Sequence, residues 1–122
     1  MTNKELILKF YDEVFNNWDL SHLDDYMLDT YMQHNAAVKD GKEGFREFAG
    51  KFLAMKPHME ISRVICEEDI VVVFFKCTME GNGMVNKVFD MYRIEDGKLA
   101  EHWDCVEHDV GGITPVNGRS LF

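Results

Sequence analysis

Asp90, His102 and Asp104 are the residues of this chain whose types and spacing best fit proton transfer. They lie in Asp90-Met-Tyr-Arg-Ile-Glu-Asp-Gly-Lys-Leu-Ala-Glu-His-Trp-Asp104, two strand-like runs that meet at Glu95-Asp96-Gly97. Gly97 can take the positive φ that closes a three-residue hairpin loop with a bulge. That loop sets Ile94 opposite Lys98, Asp90 opposite His102 and Val88 opposite Asp104. Side chains alternate with a period of two, so Val88, Asp90, Tyr92, Ala100, His102 and Asp104 are expected on one face. A two-residue type I′ loop at Asp96-Gly97 is the alternative, and it sets Asp90 opposite Trp103 and turns Asp104 to the other face. The bulged register is preferred because it gathers two carboxylates and an imidazole beside apolar neighbours. Such a grouping costs stability, and chemistry is its commonest reason.

In an apolar pocket a carboxylate is expected to titrate nearer neutrality, as a base for a C–H proton requires. Asp104 is therefore the expected general base or acid; a surface aspartate near a sheet edge is the plainer alternative. Asp90 either donates as a neutral acid to an enolate oxygen or orients His102 as its ionised partner. His102 is read as the orienting partner of Asp104, and otherwise as a hydrogen-bonded structural histidine. The expected substrate-binding set is His34, Tyr11, Tyr92 and Val88. His34 is expected near the pocket mouth and Tyr11 to offer a hydroxyl from a helix, although burial or loop capping alone also explains them. Two histidines and two carboxylates can hold zinc or iron, but no His-x-x-x-His or Cys-x-x-Cys spacing organises these. Neither a metal nor another cofactor is expected.

The elements that must position these groups change character halfway along the chain. Thr2-Asn-Lys-Glu5 has capping-box spacing. Ile7, Phe10, Tyr11, Val14, Phe15 and Trp18 follow as one apolar stripe, and Asn16-Asn17 weakens that helix near its end. Ser21-His-Leu-Asp24 repeats the spacing and predicts a short helix through about Met27. Asp40-Gly-Lys-Glu43 does so again before Phe45, Phe48, Ala49, Phe52 and Leu53, with Lys56-Pro57 as the stop. Tyr31-Met-Gln-His-Asn35 is expected to form a brief strand. From Met59 the period becomes two, predicting strands at 59–67, 69–80, 84–94 and 98–107, turned at Glu67-Glu-Asp69 and Gly81-Asn-Gly83. The unbroken apolar run Ile70 to Phe75 predicts a central strand covered on both faces. Helices first and strands last give an α+β fold: a curved antiparallel sheet wrapped around the N-terminal helices. The tail from Gly111 is expected to cover a pocket mouth or to lie loose.

A length of 122 residues suits one domain spanning 1–122, with its core at about 3–108 and a tail at 109–122. Hydrophobic content of 46% with nine Phe predicts an interior lined by rings. A net charge of −9 argues against nucleic acid or an anionic membrane as partner. Cys66, Cys77 and Cys105, odd in number and unpaired in spacing, are expected as reduced thiols in core or face positions. No apolar run nears the roughly 18 residues of a membrane span, no signal peptide is expected, and the cytoplasm is the expected compartment. Phe89, Met91, Leu99, Trp103 and Cys105 are expected on the face opposite Asp90, where a homodimer through the sheet would cover them.

Tyr31-Met-Gln-His-Asn35, Asp40-Gly-Lys-Glu-Gly-Phe45 and Arg93-Ile-Glu-Asp-Gly-Lys-Leu-Ala-Glu-His-Trp-Asp104, in this order, resemble the SnoaL-like proteins of the nuclear transport factor 2-like superfamily. The resemblance covers about residues 3 to 108 and implies a cone-shaped α+β barrel with an apolar pocket open at one end. It implies that Asp104 is the acid/base of an intramolecular aldol cyclisation, with His102 at a position that also holds histidine. Asp90 departs from the cyclase pattern, which has histidine there, and looks instead like the oxyanion-binding aspartic acid of ketosteroid isomerases. Tyr11 falls where those isomerases place a tyrosine. Their base falls at about Asn35, which cannot take a proton.

The reading that follows is a small cofactor-independent enzyme, of lyase or isomerase type, acting on a hydrophobic small molecule. It moves a proton next to a carbonyl, leading to aldol-type cyclisation or isomerisation. A non-catalytic binder of a hydrophobic molecule and an epoxide-opening hydrolase are the alternatives, since one fold serves all three.

Overall fold

The computed structural model describes residues 1–122. Thr2 opens the first helix. Its hydroxyl accepts from the Glu5 N–H at 3.1 Å, and the Glu5 carboxylate accepts from the Thr2 N–H at 3.0 Å. This reciprocal cap satisfies two donors that a helix start leaves free. Helix α1 (Asn3–Phe10) passes directly into a π-helical stretch, Tyr11–Asn16. Leu6, Ile7, Phe10, Tyr11, Val14 and Phe15 are buried along its inner side. Trp18, expected on that stripe, falls beyond the helix end, and its indole N–H donates to the Pro57 carbonyl at 2.9 Å.

Helix α2 (Leu23–Tyr26) starts at His22 without a side-chain cap, contrary to the Ser21 expectation; the Asp19 carboxylate accepts the Ser21 N–H at 2.8 Å instead. Strand β1 (Met27–Gln33) follows at once. Asp40 does not cap α3 (Gly41–Ala54) with its side chain either. Its carboxylate accepts from the Gln33 N–H at 2.7 Å, which ties the start of α3 to the end of β1. Strands β2 (Pro57–Glu67), β3 (Ile70–Met79), β4 (Val85–Glu95) and β5 (Lys98–Glu107) lie close to their expected bounds.

One five-stranded sheet runs in the order β1-β5-β4-β3-β2. Strands β2 to β5 are antiparallel neighbours, whereas β1 joins the edge parallel to β5. The fold is α+β, helices packed on a curved sheet, with one parallel strand added to the antiparallel sheet expected. Alternation reveals which way side chains point but not the direction in which an edge strand runs.

The β4–β5 hairpin corrects both registers considered from sequence. Its loop is the two-residue one, Asp96-Gly97, with φ of 52° and 72°, the left-handed pair that a type I′ turn needs. Glu95 pairs with Lys98 and Ile94 with Leu99, but Arg93 then pairs with Glu101, leaving Ala100 as an extra residue. That bulge restores the parity which the short loop had reversed. Asp90 therefore pairs with Asp104, Tyr92 with His102 and Val88 with Val106. All remain on the face expected of them, two residues away from their expected partners. The same bulge moves Leu99 off the outer face into the core, where it is fully buried.

Val71, Val73, Phe75, Cys77 and Met79 of β3 are buried against the helices. Ile70, Val72 and Phe74 on the other side are only half-buried, so β3 is not covered on both faces. Nor does the tail cross the pocket mouth: Phe122 returns over the outer face, its ring 6.2 Å from that of Phe74. Phe74 also stacks on Phe89 at 4.4 Å.

Candidate active site

Between α3, the π-helical stretch and the inner face of the sheet lies a cavity of about 370 Å³. This is within the range of small-molecule sites. Phe15, Phe45, Phe48 and Phe52 wall it on the helical side; β4 and β5 form its floor. Asp90, Tyr92, His102, Asp104 and Val88 all line it.

Asp90 is buried and held through both of its oxygens. Its Oδ2 accepts from the Tyr11 hydroxyl and, at 3.3 Å, from the Tyr92 hydroxyl. Its Oδ1 lies 3.0 Å from His102 Nε2. The Tyr11 and Tyr92 hydroxyls also meet, at 2.9 Å. Burial first, and the Asp90 charge second, push both phenols well above the usual tyrosine range, so both stay protonated donors. Tyr11 was expected to donate to a substrate; the structure sets it behind Asp90, outside the cavity lining.

His102 is fixed from the other side by Gln33, whose Oε1 lies 2.7 Å from Nδ1. The same oxygen accepts the backbone N–H groups of His34 at 3.1 Å and Asn35 at 3.0 Å. Those two donors leave the Gln33 amide only one orientation, so Nδ1 must carry a proton. Nε2 then faces both carboxylates, 3.0 Å from Asp90 Oδ1 and 3.9 Å from Asp104 Oδ2.

Asp104 is held differently. Asn35 Nδ2 donates to both of its oxygens, at 3.1 and 2.9 Å. Asn35 Oδ1 accepts from the Ala37 N–H at 2.9 Å, which fixes this amide too. No other proton donor bonds the Asp104 carboxylate, and it faces the cavity. Tyr31 completes the inner wall: its ring stacks 6.4 Å from that of His102. Burial, then the charges of Asp90 and Asp104, raise its phenol well above the usual range. Its hydroxyl makes no hydrogen bond within the chain, so it remains a donor without an acceptor.

His34 does not join this group. Its ring lies on the outside, stacked on Trp103 at 4.7 Å and bonded to Glu101 at 2.7 Å. Gln33 pairs with His102 across the β1–β5 edge, so Tyr31, Gln33 and Asn35 turn inward and His34 outward. The period-two alternation starting from Tyr31 carried that signal. One oxygen of Asp90, one of Asp104 and a His102 nitrogen lie within 4.8 Å of one another, close enough to share a cation. Tyr11, Tyr92, Gln33 and Asn35 already supply these groups with partners, so the arrangement needs no ion to account for it.

Comparison with known proteins bears on what this cavity belongs to. A search of curated proteins returns no match to the sequence. Among solved structures, TsrD from Streptomyces laurentii superposes with a TM-score of 0.72 at 25% identity, covering 85% of this chain and 87% of that one. IdmH from Streptomyces antibioticus, a candidate polyketide cyclase, gives 0.72 at 19% identity over 88% and 93%. AclR from Streptomyces galilaeus, a candidate hydroxylase, gives 0.71 at 22% over 84% and 77%. The family description SnoaL-like polyketide cyclase matches residues 5–108, a span holding the cavity walls and the hairpin with Asp90, His102 and Asp104. The chain therefore belongs to the SnoaL-like polyketide cyclase family.

Proposed function

We propose that the chain is an acid/base enzyme that removes a proton next to a carbonyl of a hydrophobic molecule and so drives aldol-type cyclisation or isomerisation. The observation that carries this reading is the contrast within one cavity between a carboxylate held by three side chains and one held by a single amide. Asp104 accepts hydrogen bonds from Asn35 alone and presents its oxygens to an apolar space. Its Oδ2 takes the proton from the substrate carbon. The carbonyl oxygen, gaining negative charge as the enolate forms, accepts from the unpartnered Tyr31 hydroxyl. The enolate carbon then attacks a second carbonyl, whose π bond breaks and whose oxygen takes the proton back from Asp104, or the proton returns from Asp104 to another carbon. His102 Nε2, near both carboxylates, holds the electrostatics of the pair, with Asp90 and Gln33 fixing its ring. In this reading Val88 and Tyr92 shape the cavity rather than donate to the reacting oxygen.

The test is deuterium exchange in D₂O, followed by NMR, at the activated carbon of hydrophobic cyclic β-diketones and aryl ketones. The protein should accelerate exchange, and Asp104→Asn should remove roughly 10²–10⁴ of that acceleration while retaining the fold. Exchange by Asp104→Asn at the wild-type rate would place the base elsewhere. Outside the cavity, we propose that a second copy covers Phe74, Phe89, Met91 and Cys105 of the outer face, where Phe89 is 47% exposed. Sedimentation of the wild-type protein as a monomer at micromolar concentration would refute that part alone.

A further inference from the structure

The inner face of the sheet is banded. Val73, Asp90 and Asp104 lie side by side in one row across β3, β4 and β5. The next row is Phe75, Val88 and Val106, entirely apolar. In the third row Cys77 pairs with Asn86, and His108 lies one step beyond the Lys87–Glu107 pair on the same register. Asn86, Cys77 and His108 all line the cavity. The first and third rows are four residues apart along the strands, which is about 13 Å.

The third row offers donors that nothing in the chain uses. Asn86 Oδ1 accepts from the Asp109 N–H at 2.9 Å, which turns the amide so that its NH₂ group is the free end. That NH₂ group has no acceptor in the chain, and neither does the exposed His108 ring. The Cys77 thiol is pushed up to about 12 by burial and then by the Asp90 charge, so it stays a neutral wall. An overall charge of −9 disfavours an anion as the group bound here.

We propose that Asn86 and His108 form a second recognition point at the cavity mouth. It binds a neutral hydrogen-bond acceptor (a ketone, ester or amide carbonyl) at the far end of an elongated substrate whose apolar middle crosses the Val88–Val106 row. The assignment of the reacting carbonyl to the inner end rests on the proton-transfer reading above. The mouth pair then selects length and polarity at the distal end, a specificity role separate from the reacting atoms. A buried apolar belt between two polar rows selects a molecule with polar groups at its two ends, because an acceptor at mid-length would be pressed against valine and phenylalanine.

Two matched ligands test this: 4′-acetylbiphenyl-4-carboxamide and 4-acetylbiphenyl, which lacks the distal acceptor. Calorimetry measures their binding and NMR the deuterium exchange of the acetyl methyl group, each independently of the other. The wild-type protein should bind the carboxamide several-fold to about tenfold more tightly. Asn86→Asp keeps an oxygen to accept the Asp109 N–H and replaces the NH₂ donor by a charged acceptor, so it should cut that preference at least several-fold while leaving 4-acetylbiphenyl affinity unchanged. Asn86→Ala should do the same, with Asp109 relaxed. Equal affinity for the two ligands, binding of neither, or a preference undiminished in Asn86→Asp would overturn the proposal. A carboxamide preference without any methyl exchange would uphold the mouth site and refute the proton-transfer reading, so the two failures are distinct.

Discussion

Asp90 and Asp104 are register partners on adjacent strands, yet their surroundings differ. Asp90 receives two phenols and an imidazole; Asp104 receives one amide group and faces open space. A carboxylate held by three side chains orders its neighbours, while one held by a single amide and facing open space can accept a proton from a ligand. Two identical side chains, one β-pair apart, are thus given different work by the elements behind them. Helix α1 and its π-helical continuation bring Tyr11 to Asp90, and the turn after β1 brings Asn35 to Asp104.

The strongest way to break this comparison is to exchange the two losses. Asp104→Asn should remove most of the exchange activity and little stability, because Asn keeps the shape and loses the ability to accept a proton. Asp90→Leu should do the reverse in the first instance, by stranding the Tyr11 and Tyr92 hydroxyls and His102 without an acceptor. Breaking a buried ionic network from one side costs on the order of 3–5 kcal/mol, readable as a lower denaturant midpoint. If Asp90→Leu unfolds normally and Asp104→Asn does not, the assignments are inverted.

The tyrosines sharpen it. Tyr31 is the donor without an acceptor, so Tyr31→Phe should cost about 10²-fold in exchange rate, as the loss of an oxyanion donor does elsewhere. Tyr11→Phe should mostly lower stability, by about 1–3 kcal/mol, since Asp90 loses a buried partner. Comparable rate losses from both would make Tyr11 part of the reacting group after all.

All four tyrosines are shifted upward, Tyr26 to about 12 and Tyr11, Tyr31 and Tyr92 well above the usual value. For each, the folded state binds its proton more tightly than the unfolded state. This contribution to stability is complete below the unfolded value near 10 and is lost as pH rises toward the folded values. Phenolate absorbance should therefore appear together with loss of tertiary circular dichroism above about pH 10. Normal titration of one or more phenols in the folded protein would show that the hydroxyl cluster around Asp90 is more open to water than its burial implies.

Much of this was legible in the sequence because it is local. Alternation in 85–95 and 98–107 places Asp90, Tyr92, His102 and Asp104 on one face, and Thr2 and Glu5 announce the first cap. The face was right although the loop was not, because Ala100 bulges and cancels the shorter turn. Polar pattern and hydrophobic burial fix parity strongly, whereas a bulge inside Leu-Ala-Glu leaves no mark of its own. The rest depends on pairing between distant segments. Nothing near Tyr31 says that β1 will dock parallel to β5, and that docking alone brings Gln33 to His102 and Asn35 to Asp104. Tyr11 was legible as buried; that it ends behind Asp90 depends on how closely α1 approaches β4.

His34 gives the mildest test, and it contrasts the two sides of the β1–β5 edge. Its backbone N–H donates to the His102 carbonyl at 3.0 Å and to the Gln33 side chain, and any residue but proline at that position keeps those bonds. Only its ring faces outward, against Trp103 and Glu101. His34→Ala should therefore leave ligand affinity and exchange rate unchanged. It should lower stability by about 0.5–1.5 kcal/mol through the lost ring stack, with little added by the exposed ion pair. Since the pair is charged only when the imidazole is protonated, the difference from wild type should shrink little with added salt if stacking dominates. A tenfold fall in exchange rate in a folded His34→Ala protein would return the histidine to the chemistry and mean that the edge of the sheet opens during turnover.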